Sequence, residues 1–156
     1  MQQISLTPQL ALPPLTADRL KMRDSKPYIF DTLRSKWLVL TPEEWVRQHF
    51  TAMLTDKLGY QASLMANEVG ITLNGTSRRC DTVVYDHQLH PWMIVEYKAP
   101  SVKITQKVFD QIVRYNMVLQ VPYLTVSNGL MHYCCHIDYD KGTYEFLTDI
   151  PAYDNA

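Results

Sequence analysis

Residues 91–100 read Pro91-Trp92-Met93-Ile94-Val95-Glu96-Tyr97-Lys98-Ala99-Pro100, an apolar strand that ends in a carboxylate and an amine two positions apart. Side chains on a strand alternate between its two faces, so Glu96 and Lys98 point the same way. Charged groups among Trp, Met, Ile, Val and Tyr are costly to desolvate unless they pair, bind a metal or meet a polar substrate. The stretch therefore predicts a buried strand whose far end opens onto a polar site, or a salt bridge that links two strands.

Downstream, Ile104, Val108, Phe109, Ile112, Val113 and Met117 recur at helical spacing, which predicts a helix from Lys103 to about Leu119. Pro122 follows, and Tyr123-Leu124-Thr125-Val126 reads as a strand. A helix joining two strands implies a right-handed crossover and some parallel pairing. Asn128-Gly129 and Asp138-Tyr139-Asp140-Lys141-Gly142 turn the chain into extended pieces over 130–137 and 143–147, a C-terminal hairpin.

Upstream, extended pieces over 71–73 and 80–85, separated by Asn74-Gly75, form a meander that feeds the first strand through the polar stretch 86–90. Thr41-Pro42-Glu43-Glu44 has the form of a helix start, with Thr as N-cap, Pro at the first position and Glu44 placed for a capping box. Trp45, Val46, Phe50, Met53, Leu54 and Leu58 continue that helix until Gly59 stops it. Residues 28–31 and 36–40 read as two short extended pieces around a turn. Residues 1–27, with Pro8, Pro13 and Pro14 and no sustained period, predict an extended arm that packs across the domain or frays. The expected organisation is thus an arm over 1–27, a domain over 28–150 and a tail over 151–156. The fold class is α/β, a mixed sheet flanked by helices.

The 156 residues suit one domain, and 46% hydrophobic content allows a sizeable core. A net charge of −1 gives no global pull toward nucleic acid, so any such binding needs a local basic patch. Arg78, Arg79, Lys103, Lys107 and Arg114 are the residues placed to form one, although a solvated helix face would look the same. No apolar run approaches a membrane span and no signal peptide is present, so a cytoplasmic location is expected. The three cysteines, Cys80, Cys134 and Cys135, match no disulfide or zinc pattern and read as reduced thiols. His132, Cys134 and His136 share a strand face but lack an acidic partner and zinc spacing, which favours a packing role. The five glycines do not cluster, so no phosphate-cradling loop supports a small-molecule binder.

Placing Asp81 at the start of one strand and Glu96 near the end of its antiparallel neighbour brings both carboxylates to one edge of the sheet. Two carboxylates that close repel unless a hard divalent cation lies between them, and Mg²⁺ takes few protein carboxylates. Lys98, one pleat further, would position the attacking water and stabilise charge on a phosphoryl oxygen.

Asp81, then Glu96-Tyr97-Lys98, then a helix carrying Gln111 and Tyr115, resemble the PD-(D/E)xK nuclease superfamily, whose Gln-x-x-x-Tyr element is matched by Gln111-Ile112-Val113-Arg114-Tyr115. The stretch from Trp37 to Gly129 is similar to the N-terminal nuclease domain of type I restriction enzyme R subunits. Thr41-Pro42-Glu43-Glu44-Trp45-Val46-Arg47, Arg79-Cys80-Asp81, Val95-Glu96-Tyr97-Lys98-Ala99-Pro100 and Ser127-Asn128-Gly129 carry the likeness. The resemblance implies a restriction-endonuclease-like core and Mg²⁺-dependent hydrolysis of DNA, with Mn²⁺ as a substitute. Asp81 and Glu96 would hold the ion, and Glu44 would add a carboxylate from the first helix unless it serves only the cap. Gln111 and Tyr115 would join the catalytic set, and Arg79, Lys103, Lys107 and Arg114 would bind substrate. The superfamily's Pro before the first acidic residue is replaced here by Arg79-Cys80. R subunits continue into a helicase motor, so a separate motor or specificity subunit is the implied partner besides DNA. The alternative is a non-catalytic module that keeps the nuclease scaffold to dock a protein or nucleic acid.

Overall fold

The computed structural model describes residues 6–153; residues 1–5 of the expected arm and 154–156 of the expected tail lie outside the described residues. Its centre is a six-stranded mixed sheet of β4 (Met65–Leu73), β5 (Thr76–Tyr85), β6 (Pro91–Tyr97), β7 (Tyr123–Ser127), β8 (His132–Asp138) and β9 (Thr143–Phe146), paired in that order. Every neighbouring pair is antiparallel except β6 and β7, which run parallel because helix α2 (Gln106–Met117) crosses between them.

The expected crossover is therefore present, and so is the C-terminal hairpin. Helix α2 starts later than its apolar period suggested. Thr105 is the N-cap, accepting the Val108 N–H at 3.2 Å, and residues 98–104 form the connection instead.

Helix α1 (Pro42–Lys57) begins and ends as its sequence dictates. Thr41 Oγ1 accepts the Glu44 N–H at 3.1 Å, Pro42 opens the first turn, and Gly59 at φ +76 leads the chain away. Its buried face, with Val46, Phe50 and Leu54, packs on Met65, Val84, Met93, Val95 and Tyr97 of the sheet. On the opposite face, Phe109 and Val113 of α2 cover Val83, Ile94, Leu124, Val126 and Cys135. Alternation along β6 thus sends Met93, Val95 and Tyr97 to the α1 side and Ile94 to the α2 side, and Glu96 and Lys98 follow Ile94.

A second sheet, of β1 (Leu20–Arg23), β2 (Lys26–Asp31) and β3 (Lys36–Val39), flanks α1. Here the structure corrects the sequence reading, because residues 20–27 belong to a hairpin and the expected arm boundary falls inside β2. Asp24 and Ser25, both at positive φ (50° and 64°), make a tight turn between paired Arg23 and Lys26. Such a turn is ordinarily announced by Asn-Gly or Asp-Gly, and its glycine is missing here. Before it, the chain lies across the domain: Leu10 is buried, and Ala11 N–H bonds the Gly129 carbonyl at 2.8 Å. Tyr153 closes the other end, buried against Tyr60 and Trp92. Cys80, Cys134 and Cys135 are buried and free. Among the described residues no helix is long and apolar enough to cross a membrane.

Candidate functional site

The β5–β6 ladder pairs Thr82 with Val95 and stops there. One step further the same register would place Asp81 opposite Glu96. Instead of a main-chain rung, Asp81 Oδ2 accepts the Tyr97 N–H at 2.9 Å, and the strands part. The Asp81 carboxyl lies near enough to Glu96 here to act on its ionisation. Burial, and then the Asp81 carboxyl, push the Glu96 pKa up to about 9, with the Lys98 charge drawing it partly back. At neutral pH Glu96 therefore carries a proton. Lys98 is fixed from the other side, where its N–H bonds the Ser127 carbonyl of β7 at 2.9 Å.

An open cleft of about 290 Å³ lies between β5, β6 and α2, and Asp81 is not among the residues that line it. Glu96, Lys98 and Arg79 line its sheet side, and Gln111 and Tyr115 line its helix side. The Gln111 and Tyr115 positions are four apart on α2, so both face the cleft. Tyr115 is 49% exposed, and the Arg78 guanidinium lies over its ring at 4.7 Å while Arg78 Nε donates to the Tyr115 carbonyl at 3.1 Å. Lys103, Lys107 and Arg114 are exposed and do not line the cleft. A basic surface formed by all of the expected cations together is therefore not assembled at the site; Arg79 and Lys98 are the cations that line it.

Glu44 does not reach the acidic pair. Its Oε1 accepts from Arg34 Nη2 at 3.1 Å and lies 3.3 Å from Arg47 Nη2, and its Oε2 accepts from Gln48 at 3.2 Å. Thr41 makes its half of the capping box, whereas the Glu44 carboxylate turns to these arginines. Among the described residues no group of three His, Cys, Asp or Glu side chains is placed to hold an ion, which leaves Asp81 and Glu96 as a two-carboxylate pair. The same holds for His132, Cys134 and His136: Cys134 is buried, and His132 bonds Ser127 and the Ala11 carbonyl.

Two buried polar chains behind the cleft were not apparent from the residue pattern. In one, Tyr97 OH donates to Thr82 Oγ1 (2.9 Å), Thr82 donates to Asn67 Oδ1 (2.6 Å), and Asn67 donates to Asp31 Oδ2 (3.0 Å) in β2. In the other, Arg47, only 4% exposed, donates to the Asp81 carbonyl (3.0 Å) and to Glu68 Oε1 (2.5 Å). Burial works against the Arg47 charge, and Glu44 and Glu68 more than restore it. Burial likewise raises the Glu68 pKa, and the bonds and charges of Arg47 and Arg79 outweigh that and hold it low.

A fragment of a candidate HsdR subunit of a type I restriction enzyme from Vibrio vulnificus YJ016 superposes with a TM-score of 0.50 at 20% identity, over 72% of this chain. The match covers 24% of that chain, so the present chain spans about a quarter of its length. At that identity the likeness speaks for a shared restriction-endonuclease-like fold. No curated protein matches the sequence. Residues 42–151, which run from the first turn of α1 past β9, match the family model described as the type I restriction enzyme R protein N terminus. The chain belongs to that family.

Proposed function

We propose that this domain is a Mg²⁺-dependent endonuclease that hydrolyses DNA phosphodiesters, working with restriction-modification subunits that supply translocation or specificity. The observation behind the proposal is that Glu96 lines one cleft with Lys98, Arg79, Gln111 and Tyr115, while Asp81 takes the Tyr97 N–H where β5 and β6 part next to it. The donor set suits the ion. Two neighbouring hard oxygen groups, one of which holds a proton, offer a place where a divalent cation can replace that proton, and Mg²⁺ keeps most of its coordination for water and phosphate.

Asp81 and Glu96 would hold Mg²⁺, or Mn²⁺ in its place. Bound there, the ion would supply Lewis-acid charge to the phosphoryl group and the attacking water. Lys98, on the same face as Glu96, orients that water and meets the charge that builds on the phosphoryl oxygens. Gln111 and Tyr115 bound the substrate from the helix side, and Arg79 offers its guanidinium to a phosphate. Lys103, Lys107 and Arg114, outside the cleft, are assigned to phosphates further along the strand. Glu44, committed to Arg34, Arg47 and Gln48, is left out of the ion's ligands.

The test is Lys98→Ala. Its circular dichroism and melting temperature should match wild type, while Mg²⁺-dependent nicking of supercoiled plasmid falls by about 100-fold or more, the scale of a lost charge-stabilising group. Full activity in that variant would overturn the role. A second reading, a nuclease scaffold kept for docking, is favoured by the lack of a third carboxylate or histidine at the pair among the described residues. Wild-type protein that neither binds Mn²⁺ through Asp81 and Glu96 nor cleaves single- or double-stranded DNA would decide for it.

A further inference from the structure

We propose that Glu68 is a positioning residue that aims the Arg79 guanidinium into the cleft, with buried Arg47 as its anchor. The inference rests on the reading of the cleft as a phosphodiester site, and it adds a residue that touches neither the ion nor the substrate.

Glu68 lies within β4, yet its φ is +55°, in the left-handed region that a non-glycine residue enters only when the surroundings demand it. The next position but one, Gly70, could take such a conformation at no steric cost, so the strain falls on the residue whose side chain bridges two arginines. On one side Arg47 Nη2 donates to Glu68 Oε1 at 2.5 Å, and Arg47 is itself buried and tied to the Asp81 carbonyl. On the other side Arg79 Nε donates to Glu68 Oε2 at 3.4 Å. The Arg79 side chain is 68% exposed and lines the cleft beside Glu96 and Lys98. A guanidinium held by Nε keeps its two terminal nitrogens for a bidentate grip on phosphate oxygens. A free arginine on a surface strand would have to give up rotamer freedom to make the same grip. The anchor also ties the substrate cation to the main chain of Asp81, so phosphate and acidic pair share one frame.

The sign of the effect separates this role from simple electrostatics. Glu68 is an anion next to a DNA-binding surface, so removing its charge tightens binding if charge is all that matters. If Glu68 aims Arg79, removing it weakens binding.

The experiment measures binding of a fluorescein-labelled 20-base-pair duplex, and of the same single strand, in EDTA across a salt series, so that neither ion nor hydrolysis enters. Wild type is compared with Glu68→Gln, Arg79→Ala and the double variant. Glu68→Gly serves as a second version that relieves the backbone while deleting the carboxylate, in case Glu68→Gln folds poorly. The expected result is that each single variant weakens binding by about 3- to 10-fold and lowers the salt slope by up to about one phosphate contact, with no further loss in the double variant. Tighter binding in Glu68→Gln or Glu68→Gly, or fully additive losses, overturns the inference. Should wild type bind neither probe, DNA is removed as the ligand, and titration of inorganic phosphate against the Arg79 Nε–H resonance decides instead. A phosphate-dependent shift present in wild type and lost in Glu68→Gln upholds the bracket, and the same response in both overturns it.

Discussion

Asp81 and Tyr97 are joined where their strands part, Asp81 Oδ2 accepting the Tyr97 backbone N–H at 2.9 Å. A side chain thus stands where the next main-chain rung would be. One carboxylate oxygen satisfies the orphaned donor, and the Asp81 carboxyl is left beside Glu96. The sheet opens at the position where the acidic pair needs room, and the Tyr97 ring on the other face anchors the opening through Thr82.

The proton on Glu96 makes stability depend on pH with a definite sign. Its pKa is raised in the folded chain to about 9, from an ordinary value of 4.5, by burial first and by Asp81 second. The folded state therefore keeps a proton that the unfolded chain releases. Stability is fully present below about pH 4.5 and is lost progressively as pH rises toward 9, with a slope of up to about 1.4 kcal/mol per pH unit. Glu96→Gln, which keeps the shape and cannot ionise, removes this dependence and is more stable than wild type at pH 8 when no metal is present. Urea unfolding at pH 5, 6.5 and 8 in EDTA checks it; a wild-type protein as stable at pH 8 as the variant contradicts it.

Thr82→Val tests the polar chain behind the site. Thr82 is fully buried, accepts from Tyr97 OH and donates to Asn67. The substitution keeps the shape and strands a hydroxyl and an amide oxygen, which costs about 1–3 kcal/mol in urea unfolding. A change within error would mean that these groups find other partners.

Gly129→Ala tests the seat of the N-terminal segment. Gly129 has φ +86°, and an added Cβ would lie 2.7 Å from Leu10 Cδ2 and 3.2 Å from Val46 Cγ2. The strained backbone alone costs about 1 kcal/mol. Leu10 must also move, and with it the Ala11–Gly129 bond. Limited proteolysis is expected to cut within residues 6–16 several-fold faster than in wild type, and equal rates would contradict the role of this contact.

Much of the frame is legible in the residues. Helix α1 carries its own start and stop in Thr41, Pro42 and Gly59, and β6 shows its faces through simple alternation, so Glu96, Lys98, Gln111 and Tyr115 fall around one cleft as their spacing suggests. Features that rest on long-range pairing are not legible. Glu68 bonds Arg47 across 21 positions, and no local rule signals a left-handed glutamate in a strand. Glu44 fits a local rule and a family expectation in the sequence, yet the structure turns it to Arg47, its i+3 neighbour on α1, and to Arg34, which no helical spacing relates to it. The first hairpin is hidden because Asp24-Ser25 makes its turn without the usual glycine. Lys103, read as helical from its apolar neighbours, lies in the connection because Thr105 offers the better cap.

Calorimetric titration of Mn²⁺ at pH 7, run in two buffers of different ionisation enthalpy, reads whether Asp81 and Glu96 hold an ion. The expected outcome is one site per chain, release of about one proton on binding as the ion displaces the proton of Glu96, and loss of the site in both Asp81→Asn and Glu96→Gln. No binding, binding that survives both substitutions, or binding without proton release would contradict it.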